Sequence, residues 1–214
     1  MLIYLAMIFA VFEILSLIFN QYFVDVQFFN IMFPLNISVI FFCMGFFVLD
    51  LVTEIYNKRV ADKLIYGKIV CQVLFVLLGE VGVLGANLQN TQLSQIITTT
   101  PIMILYGIIA SVVGYKITTH IMQELKIRYD GRFLMMRYLC STLPGEIVFS
   151  LIFSSLSFSS GKTFSQFFMI FLTLTLVKII LSLVFSILVV PITNIIKFFS
   201  SHSNHEALEF IPFT

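Results

Sequence analysis

Six runs of about 20 mostly apolar residues, each the length a membrane-spanning helix needs, divide the chain: Leu2–Phe19, Phe28–Leu51, Ile65–Leu88, Pro101–Met122, Tyr138–Phe158 and Phe164–Phe198. Such runs leave few folding options. In hydrocarbon every backbone N–H and C=O must be satisfied inside the segment, and an α-helix does this unaided. The expected fold is therefore all-α: a polytopic membrane protein whose six transmembrane helices fill residues 1–199, followed by a polar cytoplasmic tail over 200–214. Ordinary soluble domains are about 45–50% apolar and about 25% charged. This chain is 59% apolar and 11% charged, with a mean hydropathy of +1.05. Its net charge of +1 and the absence of a basic stripe argue against a nucleic-acid partner.

The connections between the runs set an orientation. Lys58, Arg59, Lys63 and Lys68 gather between runs two and three, and Lys116, Lys126, Arg128, Arg132 and Arg137 around the join of runs four and five. Asn20–Gln27 and Gln89–Thr100 contain neither Lys nor Arg. Because positive loops stay on the cytoplasmic side, both termini and both basic loops are expected there, with Gln89–Thr100 as an external linker. Gln123–Arg137 is expected to form a short cytoplasmic helix, and the last run to tilt or to kink at Pro191. Met1-Leu-Ile-Tyr-Leu5 lacks a basic n-region and reads as an uncleaved first span. Cys43, Cys71 and Cys140 have no CxxC spacing and read as packing residues, and His202 and His205 as part of a solvated tail. Neither GxxxxGK[ST] nor a Rossmann glycine fingerprint occurs, so no cofactor or metal is expected. Run two joins Pro34 to Asp50 and Glu54, and run five joins Pro144 to Glu146, which leaves open a 3+3 inverted repeat.

Charges inside the runs point to function. Glu13, Glu80, Glu146 and Lys178 fall near the middle of their spans, where a charge costs at least about 2.5 kcal/mol and needs a partner or a wet cavity. Lys178 shares a helical stripe with Thr175, Ser182 and Ser186, as expected of a face lining a substrate path. Glu146 follows Pro144 by two residues; an ion pair with Lys178 and contact with a substrate are both open. Glu80 sits among Gly79, Gly82 and Gly85, which allow close helix approach. Glu13 has little polar company and is expected to be a neutral acid. Asp50 and Glu54, four residues apart, share one helix face with Thr53 beside them.

The stretch Asp50-Leu-Val-Thr-Glu-Ile-Tyr-Asn-Lys-Arg-Val-Ala61 resembles the signature of the queuosine precursor transporters, once called vitamin uptake transporters. Arg137 with Ser141 and Thr142, then Glu146, Lys178 and Pro191, fall in the family's order over nearly the whole chain. Asn57 replaces its usual Gly, Asp62 an Arg, and Glu146 an Asp. The resemblance implies a six-span importer, not an enzyme, for the deazapurine bases 7-cyano-7-deazaguanine, 7-aminomethyl-7-deazaguanine or queuine. A carboxylate can accept two adjacent N–H groups of a guanine-like edge, and aromatic faces can stack on the ring. On that reading Glu146 meets the base edge and Lys178 is its partner or a donor to the ring carbonyl. Asp50 and Glu54 serve as gate or proton-coupling groups, and Arg137, Ser141, Thr142 and Glu80 complete the candidate site. A homo-oligomer, or docking as the substrate-binding subunit of an energy-coupling module for a vitamin-like molecule, stays open.

Overall fold

The computed structural model describes residues 1–28, 31–86, 92–158 and 164–203. They form α1 (Leu2–Ile18), a 3-10 turn, β1 (Phe23–Phe28), β2 (Ile31–Asn36), α2 (Ser38–Tyr56), α3 (Lys58–Gly85), α4 (Gln92–Arg128), α5 (Leu134–Phe158) and α6 (Phe164–Ser203). The helices α2 to α6 are long and apolar enough to cross a membrane, making this a multi-pass membrane protein. α1 is equally apolar, but its 17 residues rise about 26 Å, slightly less than the roughly 30 Å hydrocarbon core.

The second run does not start its helix at Phe28, and the chain is not wholly helical. β1 and β2 pair as an antiparallel hairpin, from Phe23 opposite Asn36 to Phe28 opposite Ile31. Phe23-Val-Asp-Val-Gln-Phe28 alternates strand-forming residues with polar ones. Pro34 lacks an amide donor and disfavours helix at Phe33, so it lies in a strand rather than interrupting a span, and its supposed symmetry with Pro144 has no structural counterpart. Asn36 ends the hairpin and begins the helix: its Oδ1 accepts from Ser38 N at 2.9 Å while its Nδ2 donates to Asn20 O at 2.8 Å.

Two further boundaries move. Residues 92–100, expected as external linker, belong to α4, which continues through the expected cytoplasmic helix to Arg128. The turn that follows places Asp130, Gly131 and Phe133 at positive φ before α5 begins at Leu134. α6 crosses Pro191 without a break and takes in 200–203 of the expected tail. Residues 204–214, the connection 87–91 and the Lys162 loop at 159–163 lie outside the described residues.

α2 is the hub, packing against α1, α3, α4, α5 and α6. Every residue from Val48 to Glu54 is buried, as expected of a helix that is apolar around most of its circumference. The other helices present polar residues inward and apolar ones outward. On α6, Lys178, Ser182, Ser186 and Thr193 are buried, while Leu176, Ile180, Leu183, Ile187 and Ile195 are exposed. α2 and α3 are separated by Asn57 alone, at φ 93°, a conformation for which glycine is the ordinary choice. The Asn57 side chain offsets that strain by capping α3, accepting from Arg59 N at 3.0 Å and Val60 N at 3.4 Å.

The close helix contact is not made by Gly82 or Gly85 of α3. A Cβ on Gly82 or Gly85 would meet open space. Instead α4 and α5 touch at Gly114 and Gly145: a Cβ on Gly145 would lie 1.9 Å from Thr118 Oγ1 and 2.8 Å from the Gly114 carbonyl oxygen. Backbones approach this closely only where the side chain is a hydrogen atom. Gly145→Ala is therefore expected to cost about 1–3 kcal/mol through overpacking, whereas Gly82→Ala should stay within about 0.5 kcal/mol. Thermal unfolding of the purified variants in detergent separates the two.

Candidate functional site

The interior charges fall into three groups around α2. At the basic end, Glu54 of α2 binds Arg137 Nη1 of α5 at 2.8 Å and Lys197 Nζ of α6 at 3.3 Å. Lys126 of α4 donates to the Glu54 carbonyl. Arg137 also reaches back into the preceding turn, donating from Nε to Arg132 O at 2.9 Å and from Nη2 to Gly131 O at 3.0 Å. One guanidinium thus orders the α4–α5 turn and neutralises Glu54. This geometry uses the planar fork of Arg and would not survive replacement by Lys.

One to two turns further in lies the second group, built from α2, α5 and α6. Asp50 Oδ2 and the Thr142 hydroxyl are 2.6 Å apart. Glu146 Oε2 accepts from Ser182 at 2.7 Å, and Lys178 Nζ donates to Ser150 at 3.0 Å. The Lys178 ammonium also lies 4.1 Å from the Phe149 ring centroid and 4.6 Å from that of Phe42, within the range of cation–π attraction. Asp50, Glu146 and Lys178 are 0%, 1% and 3% exposed. No Glu146–Lys178 ion pair forms among the described residues. The reason is spacing: Ser150 and Ser182 each intercept one partner. Cys43 is an electrostatic neighbour of Glu146. Three buried polar atoms here make no hydrogen bond of ordinary geometry among the described residues: Asp50 Oδ1, Glu146 Oε1 and the Tyr138 hydroxyl. Buried polar atoms are rarely left this way unless something else meets them.

The third group was not legible as a site. Glu13, expected to be an isolated neutral acid, is ion-paired to Lys68 of α3 at 2.6 Å. It also accepts from the Tyr115 hydroxyl of α4 and from Gln72 Nε2 at 3.4 Å. Gly45 of α2 makes the room, since a Cβ there would stand 2.6 Å from Glu13 Oε1. Lys68 reads in sequence as part of a cytoplasmic basic loop, yet it is 3% exposed. The available signal was its spacing: Ala61, Ile65, Lys68, Gln72 and Val76 form one buried stripe on α3. Phe42 joins the second and third groups, with Lys68 Nζ 5.8 Å and Lys178 Nζ 4.6 Å from its ring centroid.

The remaining candidates are placed as follows. Ser141 donates to the Tyr138 carbonyl of its own helix at 2.9 Å and approaches Met122 Sδ at 3.6 Å. It faces α4 packing. Glu80 is half-buried on α3, and no hydrogen bond or ion pair joins it to the other candidates among the described residues. A cavity of about 200 Å³ at the basic end is lined by Leu125, Tyr129, Phe133, Met136, Arg137 and Cys140. Asp50, Glu146 and Lys178 do not line it, and their burial shuts them off from solvent in this conformation.

Breaking a buried ion pair strands the remaining charge at a cost of about 3–5 kcal/mol. Lys68→Met should therefore lower the thermal midpoint strongly. The double variant with Glu13→Gln should recover most of the loss, which a differential scanning experiment on both proteins measures.

A family model described as "Putative vitamin uptake transporter" matches residues 36–196. No curated protein and no solved structure matches the chain.

Proposed function

The chain belongs to the vitamin uptake transporter family, whose model covers α2 to α6, and on that premise we propose that it imports a 7-deazaguanine base, a queuosine precursor, across a bacterial inner membrane. One observation carries the substrate class. The buried carboxylates Asp50 and Glu146 each hold an oxygen with no hydrogen-bond partner among the described residues, beside a Lys178 ammonium set against the rings of Phe42 and Phe149. A 7-deazaguanine has complementary chemistry. Its two adjacent ring-edge N–H groups suit a carboxylate, its carbonyl suits an ammonium, and its flat faces suit phenyl rings.

In this reading Glu146 binds the base edge and Lys178 the ring carbonyl. Glu54 and Arg137, together with Lys197, close the path from the basic end. That end faces the cytoplasm, as does each terminus, because Lys and Arg concentrate there. Substrate entry requires α5 or α6 to move against α2, since the group is closed on itself.

Uptake of labelled 7-cyano-7-deazaguanine, 7-aminomethyl-7-deazaguanine and queuine tests the assignment in cells that neither make the precursor nor carry another importer. Expression of this chain should restore accumulation of at least one base; well-expressed protein that accumulates none overturns the assignment. Glu146→Gln should reduce uptake roughly 10- to 100-fold, the loss expected for one charged hydrogen bond of about 1.5–3 kcal/mol, at an unchanged level in the membrane.

A further inference from the structure

The second group contains a hydrogen-bond count that identifies where a proton sits. The Thr142 hydroxyl is 2.6 Å from Asp50 Oδ2 and 2.8 Å from the Tyr138 carbonyl oxygen. A hydroxyl has one hydrogen to donate. A carbonyl can only accept, and an ionised carboxylate can only accept. With Asp50 ionised, that one hydrogen would have to be shared between the two acceptors, although the Tyr138 carbonyl already accepts from Ser141 at 2.9 Å. With Asp50 protonated both contacts are satisfied in series: Asp50 Oδ2–H donates to Thr142 Oγ1, and Thr142 Oγ1–H donates to the Tyr138 carbonyl.

The surroundings support that assignment independently. Asp50 is fully buried, and no Lys or Arg lies within ion-pair distance of it among the described residues. An isolated buried carboxylate is neutralised rather than kept charged. The titratable and charged groups facing it can be named helix by helix. On α5, Glu146 and Tyr138 are its electrostatic neighbours, and Arg137 is held by Glu54 and the α4–α5 turn. On α6, Lys178 is held by Ser150 and two rings, and Lys197 by Glu54. On α1, α3 and α4, Glu13, Lys68 and Tyr115 satisfy one another, and Lys126 is held by the Glu54 carbonyl. On α2 itself, Cys43 lies beside Glu146, and Glu54 is one turn away and already neutralised. A charge count agrees. Setting aside the basic-end group, the interior holds the carboxyls Glu13, Asp50 and Glu146 against the ammoniums Lys68 and Lys178. One bound proton makes that set neutral.

We infer that Asp50 is a proton-binding site inside the membrane and that its exchange through Thr142 couples solute movement to protons. Loss of the proton leaves a carboxylate at Asp50 and a proton released to water along the opened path. The Thr142 hydrogen then turns from the Tyr138 carbonyl to Asp50 Oδ2. That rotation costs little, because the Tyr138 carbonyl keeps its helical acceptor role toward the Thr142 amide. Asp50 and Glu146 interact electrostatically, so the charge state of Asp50 is felt where the base is proposed to bind. The coupling half of this inference rests on the transport reading; the proton site does not.

Infrared difference spectroscopy of the purified, reconstituted protein decides the proton site without any substrate. Wild type at neutral pH should show a protonated-carboxyl C=O band that Asp50→Asn abolishes and that Thr142→Val, which keeps the shape but removes the hydroxyl, shifts in frequency. Absence of the band in wild type, or its persistence unshifted in both variants, overturns the site. Coupling is read in proteoliposomes with labelled 7-cyano-7-deazaguanine. An inward proton gradient should raise wild-type accumulation several-fold, and accumulation that ignores the gradient overturns the coupling. If none of the bases is taken up, the substrate assignment fails, while the infrared result still decides whether Asp50 holds a proton.

Discussion

A charge removed from water must be met by another group, and the interior of this protein is arranged around that requirement on one helix. α2 is surrounded by five others, so the acids it carries cannot reach solvent by a change of rotamer. Glu54 is met by Arg137 and Lys197. Asp50 is met by a hydroxyl. Further along, α2 offers no acid but a ring and a gap: Phe42 faces the ammoniums of Lys68 and Lys178, and Gly45 admits the carboxyl of Glu13. The apolar exterior of α3 and α6 follows from the same logic, since each polar residue taken inward leaves an apolar one for lipid.

The three groups differ in how their charges are met, two by ion pairs and one by hydroxyls and rings. Glu13 with Lys68 and Tyr115, and Glu54 with Arg137, are ion-paired networks of the kind that hold helices in one arrangement, although Gln72 Oε1 beside Glu13 has no hydrogen-bond partner among the described residues. The Asp50, Glu146 and Lys178 group is looser, with serines between the charges and acceptor atoms left over. In this group α5 and α6 meet through the hydroxyls of Ser150 and Ser182, and α5 meets α2 through that of Thr142. Where α5 meets α4, by contrast, Gly114 and Gly145 bring the backbones together and fix that pair.

Much of this was legible in the sequence. The apolar runs locate the helices, and the offsets of Lys178, Ser182 and Ser186 give the inward face of α6, because those signals are local and periodic. The motif from Asp50 to Ala61 pointed to the family through residues whose work is now visible. Thr53 bonds its own helix at Leu49 O, Glu54 anchors Arg137, and Asn57 takes the positive φ of a one-residue turn. Partnerships across the fold were not legible. Glu13 and Lys68 are 55 positions apart in the chain, and the polar residue one turn from Lys68, Gln72, marks an inward face of α3 without naming its partner. The glycines of α3 and those of α4 and α5 look alike in sequence; only packing shows that Gly145 faces a backbone and Gly82 faces outward. The hairpin before α2 was hidden because Phe, Val and Ile serve a strand as well as a span, and Pro34 was the one residue that argued for the strand.

The central claim is that the unsatisfied acceptors beside Lys178, and not the ion-paired Glu13–Lys68 network, form the substrate site. Calorimetric titration of the purified protein with 7-cyano-7-deazaguanine and its two congeners tests this most directly. The account predicts binding of at least one base to wild type and to a folded Glu13→Gln, Lys68→Met double variant, and its loss in Glu146→Gln. Undiminished binding by Glu146→Gln, with loss in the double variant, would contradict it.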